Sequence, residues 1–183
     1  MTKAELRARL RADQPERAER DRQSALLCRH ILNSNAYQRA RVIGAYVPMA
    51  READITPVLQ DTLASGRILV LPRCLQATEM SLHRVTDLSD LVRGLYGLLE
   101  PSADLPVVQP SALDLLIVPL EGVDRRGMRL GKGGGYYDRL LAQADVPTLG
   151  AALRSNWVEK VPADPWDKPL QACADEQGIH DFK

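Results

Sequence analysis

The chain has 183 residues, 45% of them hydrophobic and only 4% aromatic, which suits one domain with an aliphatic core and argues against a disordered chain. Its 24 Lys and Arg balance 24 Asp and Glu, so net charge gives no general attraction to nucleic acid or to a membrane. The three cysteines, Cys28, Cys74 and Cys173, are widely spaced and form no CxxC or Cys/His cluster, which argues for a reducing cytosol and against a disulfide frame or a zinc site.

No apolar run is long enough to span a membrane, and the N-terminus, charged from Lys3 onward, lacks the apolar segment of a secretory signal. Residues 1–34 read as a helical, Arg-rich N-terminal arm. Residues 2–12 are strong helix formers, and Asp13-Gln14-Pro15-Glu16 marks a stop and a restart. The spacing predicts a second helix over 16–33, with Ala25, Leu26, Ile31 and Leu32 on its apolar face.

An α/β core is expected over 41–174. Residues 41–47 (RVIGAYV) read as a buried strand ended by Pro48. A helix over 54–65 carries Val58, Leu59, Thr62 and Leu63 at helical spacing and is closed by Gly66. Residues 67–72 read as a second buried strand, parallel to the first by a right-handed crossover. Residues 79–85 alternate like a half-exposed strand, and 86–112, with their turns and prolines, read mostly as loop. Residues 113–120 (LDLLIVPL) are the most apolar stretch and the expected central strand. A helix from Tyr136 to Ala144, a strand at 147–152, a short helix at Ser155–Val158 and a last short strand at 170–174 complete a single α/β domain, 1–183, with a largely parallel sheet flanked by helices.

Between the central strand and the Tyr136 helix lies Arg129-Leu130-Gly131-Lys132-Gly133-Gly134-Gly135-Tyr136-Tyr137-Asp138. In open α/β sheets ligands bind beyond the carboxyl ends of the strands, where this loop must sit. Consecutive glycines let backbone N–H groups converge on an oxyanion, the helix N-terminus adds partial positive charge, and Arg129 and Lys132 add full charges. The composition favours a polyphosphate cradle over a flexible surface loop. It is neither of the common fingerprints: Gly127 to Lys132 is one residue short of GxxxxGK[ST] and lacks the hydroxyl, and GxGxxG from Gly131 fails at Tyr136. Composition leaves Asp138 open between helix-dipole compensation and a Mg2+ ligand. It also leaves Tyr136 and Tyr137 open between packing and stacking on a flat heterocycle.

Residues 113–141, LDLLIVPLEGVDRRGMRLGKGGGYYDRLL, resemble the 5-formyltetrahydrofolate cyclo-ligase (methenyltetrahydrofolate synthetase) family, which has an apolar strand, a Pro, an Asp and then G-x-R-L-G-x-G-x-G-Y-Y-D. Asp124, Gly127, Arg129, Leu130, Gly131, Gly133, Gly135, Tyr136, Tyr137 and Asp138 all match. Lys3 and Arg7, Glu52, the Gly97–Glu100–Pro101 turn and the Val161-Pro162 to Pro169 segment with Asp167 match weaker pieces in family order. Val123 departs from the pattern, which has an aromatic there.

The resemblance implies closure of 5-formyltetrahydrofolate to 5,10-methenyltetrahydrofolate in a cytoplasmic monomer, with ATP as co-substrate and Mg2+ as cofactor. It implies that Lys3, Arg7, Arg129, Leu130, Gly131, Lys132, Gly133, Gly134, Gly135, Tyr136 and Tyr137 contact ATP, with Lys132 and Arg129 stabilising the transferring group. It assigns the folate to Val47, Glu52, Lys132, Gly133, Gly134, Gly135 and Tyr136, and the metal to Asp138, expected to be exposed, and Asp167. His30, His83 and His180 are expected to be surface or structural groups. Two other readings keep the loop: a relative that activates a different formamide, and a nucleotide-binding module without turnover.

Overall fold

The computed structural model describes residues 1–76, 79–143 and 145–182. Helix α1 (Lys3–Ala12) begins with a capping box, Thr2 Oγ1 accepting from Glu5 N while Glu5 accepts from Thr2 N, which satisfies two of its orphan donors. Helix α2 (Arg17–Asn33) buries Ser24, Leu27, Cys28 and Ile31, a face rotated from the expected one, and Ala25 is exposed. Ser24 and Cys28 do not read as core residues from composition. They belong there because Ser24 Oγ accepts from Asp54 N at 3.0 Å and the Cys28 thiol donates to Asp54 O at 3.2 Å, locking α2 to the chain that enters the next helix. A short helix the sequence reading missed, α3 (Asn35–Arg39), is capped by Ser34 and drives Tyr37 fully into the core.

Strand β1 (Val42–Gly44) is shorter than expected, because past Gly44 the chain leaves the sheet to form a wall of a cleft. Helix α4 (Thr56–Ala64) buries Val58, Leu59 and Thr62 as its spacing predicts. Strand β2 (Ile68–Gln76) runs on past its expected end at Pro72, because beyond its parallel pairing with β1 it forms an antiparallel ladder with β3 (Glu79–Val85). The 86–112 stretch holds three single 3-10 turns and one two-stranded piece, β4 (Val92–Arg93) with β5 (Leu99–Glu100).

Strand β6 (Leu115–Pro119) is buried through Val118 and lies fourth in a seven-stranded sheet. After it, β7 (Gly122–Val123) and β8 (Arg129–Leu130) form a hairpin that leads into the glycine loop. Asp124 closes that hairpin. Fully buried, it accepts from Arg126 N, Arg126 Nε and Nη2, Met128 N and Val161 N. Burial works against its charge, but these donors outweigh it and hold the carboxyl below its ordinary range.

Helix α5 (Tyr136–Gln143) follows the loop; the Ala144 end expected for it lies outside the described residues, as does Lys183. Strand β9 (Thr148–Ala151) precedes a 3-10 turn at Arg154–Asn156, one residue earlier than the short helix expected at 155. Strand β10 (Ala172–Asp175) is not the last strand, as the sequence reading had it: β11 (Gly178–Asp181) turns back antiparallel along its edge.

The sheet order is β11-β10-β9-β6-β1-β2-β3, with the run β10-β9-β6-β1-β2 parallel and an antiparallel strand at each edge. The chain is thus a single α/β domain with a mostly parallel sheet. Helices α2, α3 and α4 cover one aliphatic core and α5 covers a second. Leu6 and Leu10 of α1 pack separately on Leu130, Val158 and Val161, beside the glycine loop.

Candidate active site

A cleft of about 820 Å3 opens at the carboxyl ends of β1, β2 and β6, where a doubly wound sheet places its ligands. Every site residue expected from the sequence lines it: Lys3, Arg7, Val47, Glu52, Asp167 and the continuous run from Arg129 to Asp138. Four chain segments far apart in sequence supply these residues.

Three of the loop's carbonyls are tied by donors while its amides are not. Gly131 O accepts from Arg7 Nε at 2.8 Å, Gly134 O from Arg139 Nη2 at 2.6 Å, and Gly135 O from Arg139 N at 3.2 Å. Among the described residues, none of the amides of residues 131–135 finds an acceptor in the protein. Gly133 and Gly135 take φ of +102° and +65°, a region that L side chains rarely adopt, so the tight turn requires glycine at both. The result is a run of backbone donors on the cleft lining, a composition suited to an anion.

Lys132 joins two walls of the cleft. Its Nζ lies 2.9 Å from Glu52 Oε1 and also contacts Met49 Sδ. Glu52, its side chain 8% exposed, spends its other oxygen on Met49 N at 2.9 Å. The loop after β1 and the glycine loop are therefore bridged by an ion pair, which sequence order could not indicate.

Arg129 is more deeply set. Its guanidinium, with the side chain 4% exposed, pairs with Asp138 and donates to Lys168 O at 2.8 Å. Asp138 is thus half-buried and paired, not exposed as expected, because β8 brings Arg129 under the first turn of α5. On the opposite wall Lys3 Nζ lies 2.7 Å from Asp164 and 2.6 Å from Asp167. Burial opposes the Asp167 charge, but Lys3 and the Asp164 amide outweigh it and hold the carboxyl low. Burial likewise pulls Lys3 down, and the two aspartates overcome it and raise it. The positive charge of Arg129 also favours the Asp167 carboxylate.

Tyr136 reaches toward the end of β2, its hydroxyl donating to Gln76 O at 3.3 Å, with the Arg139 guanidinium 5.6 Å from its ring centre. Burial pushes the phenol of Tyr137 well up, and the nearby Glu52 carboxylate adds to this, so Tyr137 is a neutral packing group at any working pH.

Among the described residues no three His, Cys, Asp or Glu side chains gather into a self-sufficient metal cage. Asp138 and Asp167 nevertheless stand on one cleft, Asp138 ion-paired with Arg129 and Asp167 held as a carboxylate with help from the Arg129 charge. That donor set fits Mg2+, which usually takes one or two carboxylates together with substrate phosphates and water.

The cleft also includes residues the sequence reading did not single out. Pro72, Cys74, Met80, Leu98 and Leu99 form an apolar wall from β2, β3 and β5, and Trp166 stands on the far wall. Leu98 and Leu99 lie inside the Gly97–Glu100–Pro101 turn that matches the family, whereas Pro72, Cys74 and Met80 are brought to the site by the pairing of β2 with β3. Trp166 carried one signal, its position next to Asp167.

Three comparisons bear on this geometry. Residues 1–175 match the model of the 5-formyltetrahydrofolate cyclo-ligase family. The 5-formyltetrahydrofolate cyclo-ligase of Escherichia coli strain K12 is 31% identical over 173 residues, covering 91% of this chain and 94% of the relative, and that of Mus musculus is 31% identical over 178 residues, covering 90% and 87%. The solution structure of Aquifex aeolicus 5,10-methenyltetrahydrofolate synthetase superposes with a TM-score of 0.89 at 31% identity, covering all of this chain and 94% of the other. A Mycoplasma pneumoniae 5,10-methenyltetrahydrofolate synthetase, 21% identical over 96% of this chain and 99% of its own, shares the fold with a TM-score of 0.78.

Proposed function

Since the chain belongs to the 5-formyltetrahydrofolate cyclo-ligase family, we propose that it converts 5-formyltetrahydrofolate to 5,10-methenyltetrahydrofolate with cleavage of ATP to ADP and phosphate. The observation that carries this reading is the row of amides at residues 131–135 without acceptors among the described residues, set in one cleft with Glu52, Lys132 and Arg129.

The chemistry needs both a phosphate cradle and a folate wall. Closing the ring requires the formyl oxygen to leave carbon, and oxide is a poor leaving group. The formyl oxygen attacks the γ-phosphorus of ATP, the bond to the β-phosphate oxygen breaks, and ADP departs. N10 then attacks the activated carbon and gives up its proton to solvent, the C–O bond breaks, and phosphate leaves with the bonding pair. This asks the protein for position and charge stabilisation and for no covalent nucleophile.

The amides of residues 131–135 hold the phosphates, and Lys132 places its charge where the transferring group develops it. Arg129, fixed by Asp138 and Lys168 O, supplies a rigid positive field beneath the loop. Lys3 and Arg7 add the cationic side of the nucleotide site, and Arg7 also shapes the loop through Gly131 O. Glu52 and Val47 border the folate side, with Tyr136 between the two. Asp138 and Asp167 are the groups that would hold Mg2+, which when bound neutralises charge on the β- and γ-phosphate oxygens.

The direct test mixes the purified protein with 5-formyltetrahydrofolate, Mg2+ and ATP and follows the near-ultraviolet absorbance of the methenyl product. Product should form only when ATP is present. Equal formation without ATP would remove the phosphorylated intermediate from the mechanism.

A further inference from the structure

Trp166 is 67% exposed, the most exposed large hydrophobic residue among the described residues, yet hydrogen bonds hold its backbone in place. It lies in a turn closed by Asp167 N to Asp164 O at 3.0 Å and by Asp164 N to Asp167 Oδ2 at 2.8 Å. Lys3 clamps both aspartates, and Arg129 donates to Lys168 O just beyond. A rigid turn that holds an uncovered indole at a cleft leaves an apolar ring in water with no packing to offset it, unless a flat ligand covers it.

The sheet order says which ligand. The glycine loop follows β6 in the middle of the sheet. On one side of it, past β1, the ends of β2 and β3 and the β4–β5 piece supply the apolar wall with Pro72, Met80 and Leu99. On the other side, past β9, the connection to β10 supplies Trp166, and α1 brings Lys3 and Arg7 alongside it. Two substrates that exchange a phosphoryl group must lie on opposite sides of the phosphate cradle. The compartment with the cations takes the nucleotide, and the apolar one takes the reduced folate.

We propose that Trp166 is the platform on which the adenine ring of ATP stacks, a binding residue for the nucleotide and not for the folate. This rests on the reading of the cleft as an ATP site. The polyphosphate then runs from Trp166 past Lys3 and Arg7 to the amides of the glycine loop, with its γ-phosphoryl group at Lys132.

The molecule has two tryptophans, so Trp157→Phe leaves Trp166 as the sole indole reporter. Its fluorescence should be quenched by Mg2+–ATP and not by Mg2+–tripolyphosphate, which offers phosphates without a ring. In the otherwise unaltered chain, Trp166→Ala should raise the KM for ATP about tenfold, the loss of one stacked base, with the KM for 5-formyltetrahydrofolate unchanged. Trp166→Phe should recover most of that loss. If Trp157→Phe does not fold, the difference between the unaltered protein and Trp166→Phe on adding ATP reads the same signal.

ATP binding seen by calorimetry with no change in Trp166 fluorescence overturns the proposal and leaves the ATP site standing. A raised folate KM in Trp166→Ala overturns it in favour of a folate contact. Absence of any ATP binding to the unaltered protein overturns both the proposal and the functional reading on which it rests.

Discussion

At the scale of single residues, the site is built from charges that hold one another in place. Lys132 and Glu52 are 2.9 Å apart, so neither acts alone. Glu52→Gln keeps the shape but releases Lys132, and Lys132→Ala leaves Glu52, 8% exposed, without its cation. Each single change should lower kcat/KM, and the double change should cost less than the two losses added. A coupling of roughly 0.5–3 kcal/mol is usual for residues in direct contact. Steady-state kinetics of the four proteins measures it, and strict additivity would mean that the pair does not persist in the working enzyme.

Asp138 gives a second prediction at this scale. Replacing it with Asn weakens the partner of a guanidinium whose side chain is 4% exposed, and Lys168 O alone remains as a strong acceptor. The change should destabilise the fold by roughly 1–3 kcal/mol, lowest if the Asn oxygen keeps one bond. For a domain of this size that is about 2–4 °C in Tm per kcal/mol. Thermal melting followed by circular dichroism reads it. An unchanged Tm would show that Arg129 finds another partner.

At the scale of elements, α1 deserves a role beyond that of a solvated basic arm. Its Leu6 and Leu10 pack on Leu130, Val158 and Val161, so the helix that carries Lys3 and Arg7 is fastened beside the glycine loop. Leu6→Ala should cost roughly 2–5 kcal/mol of stability. At temperatures where the variant stays folded it should raise the KM for ATP more than that for folate. Equal effects on both would argue that α1 only stabilises the domain.

The Lys3 clamp adds a pH dependence to the same docking. Asp167 is depressed in the folded state, so its contribution is complete above the ordinary carboxyl value of about 3.9 and is lost as pH falls through the lower folded value. Lys3 is raised, so its contribution is complete below about 10.4 and is lost as pH rises through the higher folded value. Hydrogen exchange of α1 amides, compared with that of β6 amides at each pH and corrected for intrinsic rates, should show α1 best protected between these limits. Lys3→Met should flatten that relative profile, and an unaltered profile would remove the ion pair from the account.

At the scale of the whole molecule, the sheet is closed at each edge by an antiparallel strand, and β11 is the less obvious of the two. It carries Ile179 onto the first core, and Phe182 just beyond it packs on the second. A chain ending at Asp175 loses both half-buried side chains, worth roughly 2 kcal/mol together at half of full burial. It also exposes the β10 edge as a template for pairing with other chains. The shortened protein should melt earlier and scatter light at lower temperature than the full chain. Identical melting and scattering curves would show that the edge strand is dispensable.

Local chemistry made much of this legible. Helix-forming composition located α1, helical spacing located α2 and α4, apolar runs located β1, β2 and β6, and the density of glycine around Lys132 located the loop that lines the cleft, because each of these signals is written in neighbouring residues. The core face of α2 was misread because Ser24 and Cys28 are buried by hydrogen bonds to the Asp54 backbone, thirty and twenty-six residues away. The same limit applies to the site. That residues 129–138 stand at the cleft beyond the strand ends followed from their order in the chain. That Lys132 meets Glu52, that Arg129 is pinned by Asp138 from below the helix, and that Trp166 stands uncovered across the cleft were decided by tertiary structure alone. Sequence spacing reports which side chains share one element, whereas the parallel order of β6, β1 and β9 sets which loops meet at one edge of the sheet.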